Sequence, residues 1–97
     1  MFDKLKELMQ LKSAMEEVKR QLEKETVTAE SPKSEVVVVI NGAQEIKEIR
    51  LSAGFASLEK AKMEKILAET VNKAVRDSHK LAAQKLGAVT GFQLPGA

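Results

Sequence analysis

Apolar residues recur at Leu8, Leu11, Met15, Val18 and Leu22, with spacings of three and four. That is the a/d seam of a heptad, and it predicts a helix over residues 2–24. Phe2, Leu5 and Met9 widen the apolar face toward the N-terminus, enough to meet more than one helix. Asp3 near the start and Lys24 near the end suit the helix dipole. Glu16 and Glu17 are spaced to support the exposed side through Arg20.

The period then changes. Thr26-Val-Thr28 has strand propensity and predicts a short edge strand. Ser31-Pro32-Lys33-Ser34 reads as a turn, because proline cannot donate to a sheet ladder. Val36 to Ile40 are five consecutive branched apolar residues, the pattern of a strand dry on both faces. Asn41-Gly42 supplies residues that tolerate positive φ, as a tight turn or bulged loop needs. On the return arm Ile49 and Leu51 alternate with Glu48 and Arg50, a half-buried pattern. Glu35–Leu51 is therefore a β-hairpin.

Ser52-Ala-Gly-Phe-Ala56 is a connector, and Ser57 is a candidate N-cap with Glu59 in the first turn. Met63, Ile66, Leu67, Val71, Ala74, Val75, Leu81, Ala82 and Leu86 define the apolar face of a second helix, over residues 57–87. Gly87 marks its expected end, and the Gly/Pro-rich tail, 88–97, is expected to be irregular and flexible. The expected map is a helix over 1–25, a sheet region over 26–52 and a helix over 57–87.

The expected fold is α+β: a long helix, an antiparallel β-hairpin or three-stranded sheet, and a second long helix. One helix on each side of a hairpin has little material to cover both of its faces. A second copy of the chain is the expected partner, with Val36–Ile40 in the joining layer. If the helices pack antiparallel, Met1–Lys12 and roughly residues 76–97 meet far from the sheet.

Length fits one domain, since 97 residues bury a modest core. The longest apolar run is five residues, far below a membrane span, and the first residues form a charged periodic helix rather than a signal peptide. A cytoplasmic location is expected. Cysteine is absent and His79 is the only histidine, so no thiolate nucleophile and no His/Cys metal cluster exists within one chain. Serine and threonine lack a base with an orienting partner, and Asn41-Gly42-Ala43 lacks the spacing of a phosphate loop. We expect no enzyme, no cofactor, no metal, no membrane and no small-molecule substrate.

Net charge is only +2, but its distribution is uneven. Residues 53–97 hold seven basic and four acidic side chains. Lys62, Lys65, Lys73, Arg76 and Lys80 fall on one stripe of the second helix, nearly opposite its apolar face, with Glu69 interrupting it. Lys85 falls nearer the apolar side. On the first helix Lys6, Arg20 and Lys24 share a side, while Lys4 and Lys12 lie closer to the apolar stripe. Such stripes contact phosphates without reading bases, or they simply solubilise a helix. Residue chemistry alone favours the second. With no Trp or Tyr and only three Phe, a base-stacking platform is not expected. The heptad seams allow another reading: a helix-hairpin-helix protein-interaction or chaperone-type module of prefoldin-like layout.

Across nearly its whole length the chain resembles the YbaB/EbfC family of nucleoid-associated proteins. The resemblance is carried by the Met/Leu/Lys-rich first helix, Val37-Val-Val-Ile-Asn-Gly42 followed by Ile46, Ile49, Arg50 and Leu51, Val71-Asn72-Lys73-Ala74, and the closing Gly91-Phe-Gln-Leu-Pro-Gly96. It implies a tweezer-like homodimer with hairpins in the central layer and helices as arms. It further implies duplex DNA as partner, bound with little sequence preference in the bacterial nucleoid, and neither enzyme activity nor cofactor. DNA contact falls to the arms. The matching DNA-binding positions are Lys4, Lys6 and Lys12 on one arm element, and Lys73, Arg76, Lys80 and Lys85 on the other.

Overall fold

The heptad-patterned segment is one helix, α1, over Phe2–Lys24. Three strands follow: β1 over Thr26–Glu30, β2 over Val36–Asn41 and β3 over Ile46–Leu51. A 3-10 turn at Ala53–Ser57 leads into the long helix α2, Lys60–Thr90. The computed structural model describes residues 2–90, so the tail expectation from Gly91 onward lies outside the described residues. The fold is α+β, with an antiparallel sheet in the order β1-β2-β3.

Cross-strand register decides what is buried. Val36, Val38 and Ile40 pair with Leu51, Ile49 and Ile46 on β3, and Val38 and Ile40 pair with Ala29 and Val27 on β1. Directly paired residues share a face, so these form the inner face of the sheet. A bulge leaves Lys47 unmatched and lets Ile46 and Ile49, three residues apart, both join this row. α2 packs across β1 and β2, and Val36, Val38, Ile40, Ala29 and Ala74 are fully buried there. Met63, Ile66, Leu67, Val71 and Val75 pack around them. Phe55 of the 3-10 turn is also buried in this core.

α2 packs on β1 and β2 and leaves β3 largely uncovered. Ile46, Ile49 and Leu51 are therefore 44%, 46% and 53% exposed, although they belong to the apolar face. Within one chain Val36–Ile40 is dry on one face only. α2 and the 3-10 turn cover the inner three, while Val37 and Val39 are half-buried on an outer face shared with Thr28, Glu30, Glu48 and Arg50. The apolar surface left uncovered lies on β3 and on α1.

α1 enters the sheet at the end where β2 finishes, and Asn41 makes the join. Its Nδ2 donates to the Glu23 carbonyl at 3.1 Å and to Glu45 Oε1 at 2.8 Å. Its Oδ1 accepts from the Ala43 and Glu45 amides at 3.0 and 2.9 Å. The Gly42 amide donates to the Leu22 carbonyl at 2.8 Å. The hairpin turn thus satisfies carbonyls that the last turn of α1 leaves without intrahelical partners. Ser78 of α2 donates to the Asn41 carbonyl at 2.7 Å, and Gln44 donates to Ser78 Oγ at 2.8 Å. α2 crosses the sheet from the Ser31 end to the Asn41 end, then continues beside α1, with Val18 and Leu22 buried between them. The molecule measures 66 × 24 × 16 Å, with a radius of gyration of 18.0 Å. A compact chain of this length would give about 12–13 Å.

Three local expectations differ from the structure. Positive φ falls at Gln44 (70°) and Ser34 (56°), not at Asn41-Gly42. Gly42 is needed for space: a Cβ there would sit 2.5 Å from Leu22 Cδ2 and 3.3 Å from Leu22 Cα. Ser57 closes the 3-10 turn instead of capping α2, which starts at Lys60 with the Met63 amide bonded to the Glu59 carbonyl. Helix α2 also runs through Gly87 to Thr90, because Leu81–Gly87 is held partly buried beside α1.

Gly42→Ala should destabilise the protein by about 1–3 kcal/mol in urea unfolding, the usual cost of overpacking. In a Leu22→Ala background the added penalty should shrink without vanishing, since Leu22 Cβ at 3.2 Å remains. Equal penalties in both backgrounds would mean that the crowding is not with Leu22.

Candidate nucleic-acid interface

The buried line of α2 is Thr70, Ala74 and Ser78, spaced by four, and it fixes the rotation of the whole helix. Lys62, Lys65, Lys73, Arg76 and Lys80 then fall away from the sheet, and all are exposed. The expected stripe opposite the apolar face is present as a geometric fact.

Its members differ in pairing. Lys73 Nζ lies 3.4 Å from Asp77 Oδ2, a half-exposed contact of the kind that contributes about 0–1 kcal/mol. Among the described residues, Arg76 and Lys80 have no ion-pair partner. Lys73 and Arg76 border an open hollow of about 400 Å³ between α2 and the β1–β2 turn, lined also by Glu30, Pro32, Ile66 and Glu69. That location separates them from the far end of the arm. The expectation that Arg76 meets Met1–Lys12 is not what the structure shows: Arg76 sits over the sheet, two residues before Ser78, and lines the hollow beside the β1–β2 turn.

Lys85 has a different role from its neighbours. It lies in the seam where α2 leaves the sheet beside α1, and its ammonium is 2.9 Å from Glu25 Oε2. The pair is close enough for charge attraction but not aligned as a hydrogen bond. Glu25 was not apparent from the sequence as a partner; the one available signal was that Lys85 falls on the apolar side of its helix. On α1, Lys4, Lys6 and Lys12 are exposed and carry no ion pair among the described residues. They do not form one row: two residues along a helix turn the side chain by about 200°, so Lys4 and Lys6 face apart. Leu5, Leu8 and Met9 between them are 58–63% exposed.

Two arginines elsewhere are engaged. Arg20 bonds Glu17 along α1. On the outer face of the sheet Arg50 Nε donates to Glu48 Oε1 at 2.6 Å. That hydrogen bond, with the attraction of the guanidinium, holds the Glu48 carboxyl below its ordinary range and raises Arg50. His79 is exposed on α2, and no group of three His, Asp or Glu side chains among the described residues is placed to hold a metal ion. No helix among the described residues is long and apolar enough to cross a membrane.

Comparison with known proteins adds an independent line. Residues 1–93 match the YbaB/EbfC DNA-binding family. A protein of Syntrophobacter fumaroxidans named nucleoid-associated protein is 28% identical over 97 residues, covering 98% of this chain and 88% of the relative. One of the same name from Legionella pneumophila is 27% identical over 92 residues, covering 94% and 82%.

The two kinds of lysine separate in a stability measurement. A Glu25→Gln/Lys85→Gln double-mutant cycle should give a coupling of about 0.2–1 kcal/mol that fades with salt. Lys80→Gln should stay within about 0.5 kcal/mol of the parent. A zero coupling at low salt would remove the structural role of Lys85.

Proposed function

The chain belongs to the YbaB/EbfC DNA-binding family, and from that premise we propose that it is a nucleoid-associated homodimer that binds duplex DNA mainly through phosphates. The observation that carries the reading is a set of exposed, unpaired cations on a rigid helix, in a chain whose family is a DNA-binding one. Lys and Arg so placed neutralise phosphates and release counterions, which gives affinity without base identity. Lys62, Lys65, Arg76 and Lys80 on α2 and Lys4, Lys6 and Lys12 on α1 are exposed with no ion-pair partner among the described residues, Lys73 shares itself with Asp77, and Lys85 is committed to Glu25. The role is binding rather than catalysis, and the nucleoid is where it acts.

The dimer is supported by unfinished burial. Ile46, Ile49 and Leu51 continue the core row onto an edge strand that α2 leaves open. A bare apolar edge also carries unpaired backbone groups ready to accept another strand. A second copy set against β3 removes both liabilities and gives each assembly two sets of cations. The open seam of α1, with Leu8, Leu11 and Met15 exposed, is the feature that favours the prefoldin-like interaction module instead.

Labelled duplex titrated at several salt concentrations tests the DNA reading. Affinity should fall steeply with salt, with a log–log slope of about −0.9 per phosphate contacted. Arg76→Glu with Lys80→Glu should weaken binding to unrelated sequences alike. Binding that ignores salt, or a loss confined to one sequence, would contradict the phosphate mechanism. For the dimer, light scattering at micromolar concentration should give twice the chain mass, and Ile49→Lys should give the monomer mass with helical content retained.

A further inference from the structure

One flank of α2 carries an aligned row of basic side chains. From Lys62 to Lys80 the α2 cations lie within an arc of about 80° and span about 27 Å, at 100° and 1.5 Å per residue. Lys62, Lys65, Arg76 and Lys80 are exposed and have no ion-pair partner among the described residues. This line has five basic side chains and one acidic one, Glu69, which leaves eleven basic against thirteen acidic in the rest of the chain. The flank is positive while the remainder is slightly negative.

Its backing is stiff. Over this stretch the opposite side of α2 is packed on the sheet through Met63, Ile66, Thr70, Ala74 and Ser78. The cations therefore keep fixed spacings along a straight element. Past Lys80 the same line continues through Ala83, Gln84 and Gly87, with no charge. At the free end of α1, Lys4 and Lys6 face apart and share their turns with Asp3 and Glu7. The cations at the free end of the helical pair are thus not aligned on one face as those of the flank are.

We propose that the DNA backbone docks along this outer flank of α2, over the sheet, on Lys62, Lys65, Lys73, Arg76 and Lys80, and not at the free end of the helical pair. The inference rests on the DNA-binding reading above and assigns it a place. A run of about 27 Å matches the rise of about eight nucleotides of one strand at 3.4 Å each. Lysines at fixed intervals on a stiff rod meet phosphates and stop short of base edges, which makes the contact indifferent to sequence. Glu69, in the middle of the line, opposes binding, and Glu30 across the hollow adds to that opposition.

The test uses the full chain and fluorescence anisotropy of a labelled duplex across a salt series. Lys62→Gln with Lys65→Gln should weaken binding about tenfold or more at low salt and reduce the salt slope by about two. Lys4→Gln with Lys6→Gln should change affinity by less than about twofold if the free end makes no phosphate contact. Glu69→Gln should tighten binding, a gain that a folding defect does not produce. If the Lys4/Lys6 pair carries the loss and the Lys62/Lys65 pair does not, the proposed place is wrong while DNA binding stands. If Glu69→Gln leaves affinity unchanged, the place is likewise wrong. If the parent chain shows no salt-dependent binding, the failure belongs to the DNA reading itself.

Discussion

Everything in this fold depends on the buried asparagine at the end of β2. Asn41 is fully enclosed, so each of its polar atoms needs a protein partner. Its amide nitrogen serves two acceptors and its amide oxygen serves two donors. Only a side chain that donates and accepts at once can fill that place. An aspartate would set a carboxylate against the Glu23 carbonyl and the Glu45 carboxylate. Because the Asn41 carbonyl also holds Ser78, one residue ties α1, the hairpin turn and α2 together. Ser78 belongs to the buried line of α2, so that attachment agrees with the rotation that turns the cations outward.

A second constraint is geometric. One helix covers two strands and not three, so the apolar row of β3 stays open. The sheet order β1-β2-β3 puts this open row at one edge. The cationic flank, with its hollow against Glu30–Pro32, lies toward the other edge. A partner that joins at β3 leaves the flank accessible. Self-association at β3 and polyanion binding at the flank would therefore not compete for one surface.

The heptad seam, the hairpin and the apolar face of α2 were all legible as periodicity, because solvent exposure alone dictates such patterns. Turn chemistry was less legible. Asn41-Gly42 looks like a positive-φ pair, yet the left-handed residue is Gln44 and the glycine answers to Leu22, twenty residues earlier. Long-range crowding leaves no local signature. Ser57 and Gly87 failed as helix boundaries for the same reason: Phe55 anchors the 3-10 turn in the core, and Leu86 and Gly87 are held partly buried where α2 runs on. Of the candidate site, the stripe on α2 could be read from spacing. The engagement of Lys85 by Glu25 could not, since it depends on how two helices meet.

The closeness of Gly42 to α1 has a chemical side as well. An asparagine followed by glycine is prone to lose ammonia, because the glycine nitrogen turns onto the preceding amide carbon and closes a succinimide ring. Here that nitrogen is held 2.8 Å from the Leu22 carbonyl and 3.1 Å from the Glu25 carbonyl, while the asparagine amide is held on both sides. The ring cannot close until α1 lifts from the turn. The rate at which this molecule ages in solution is thereby tied to how often its helix and hairpin part.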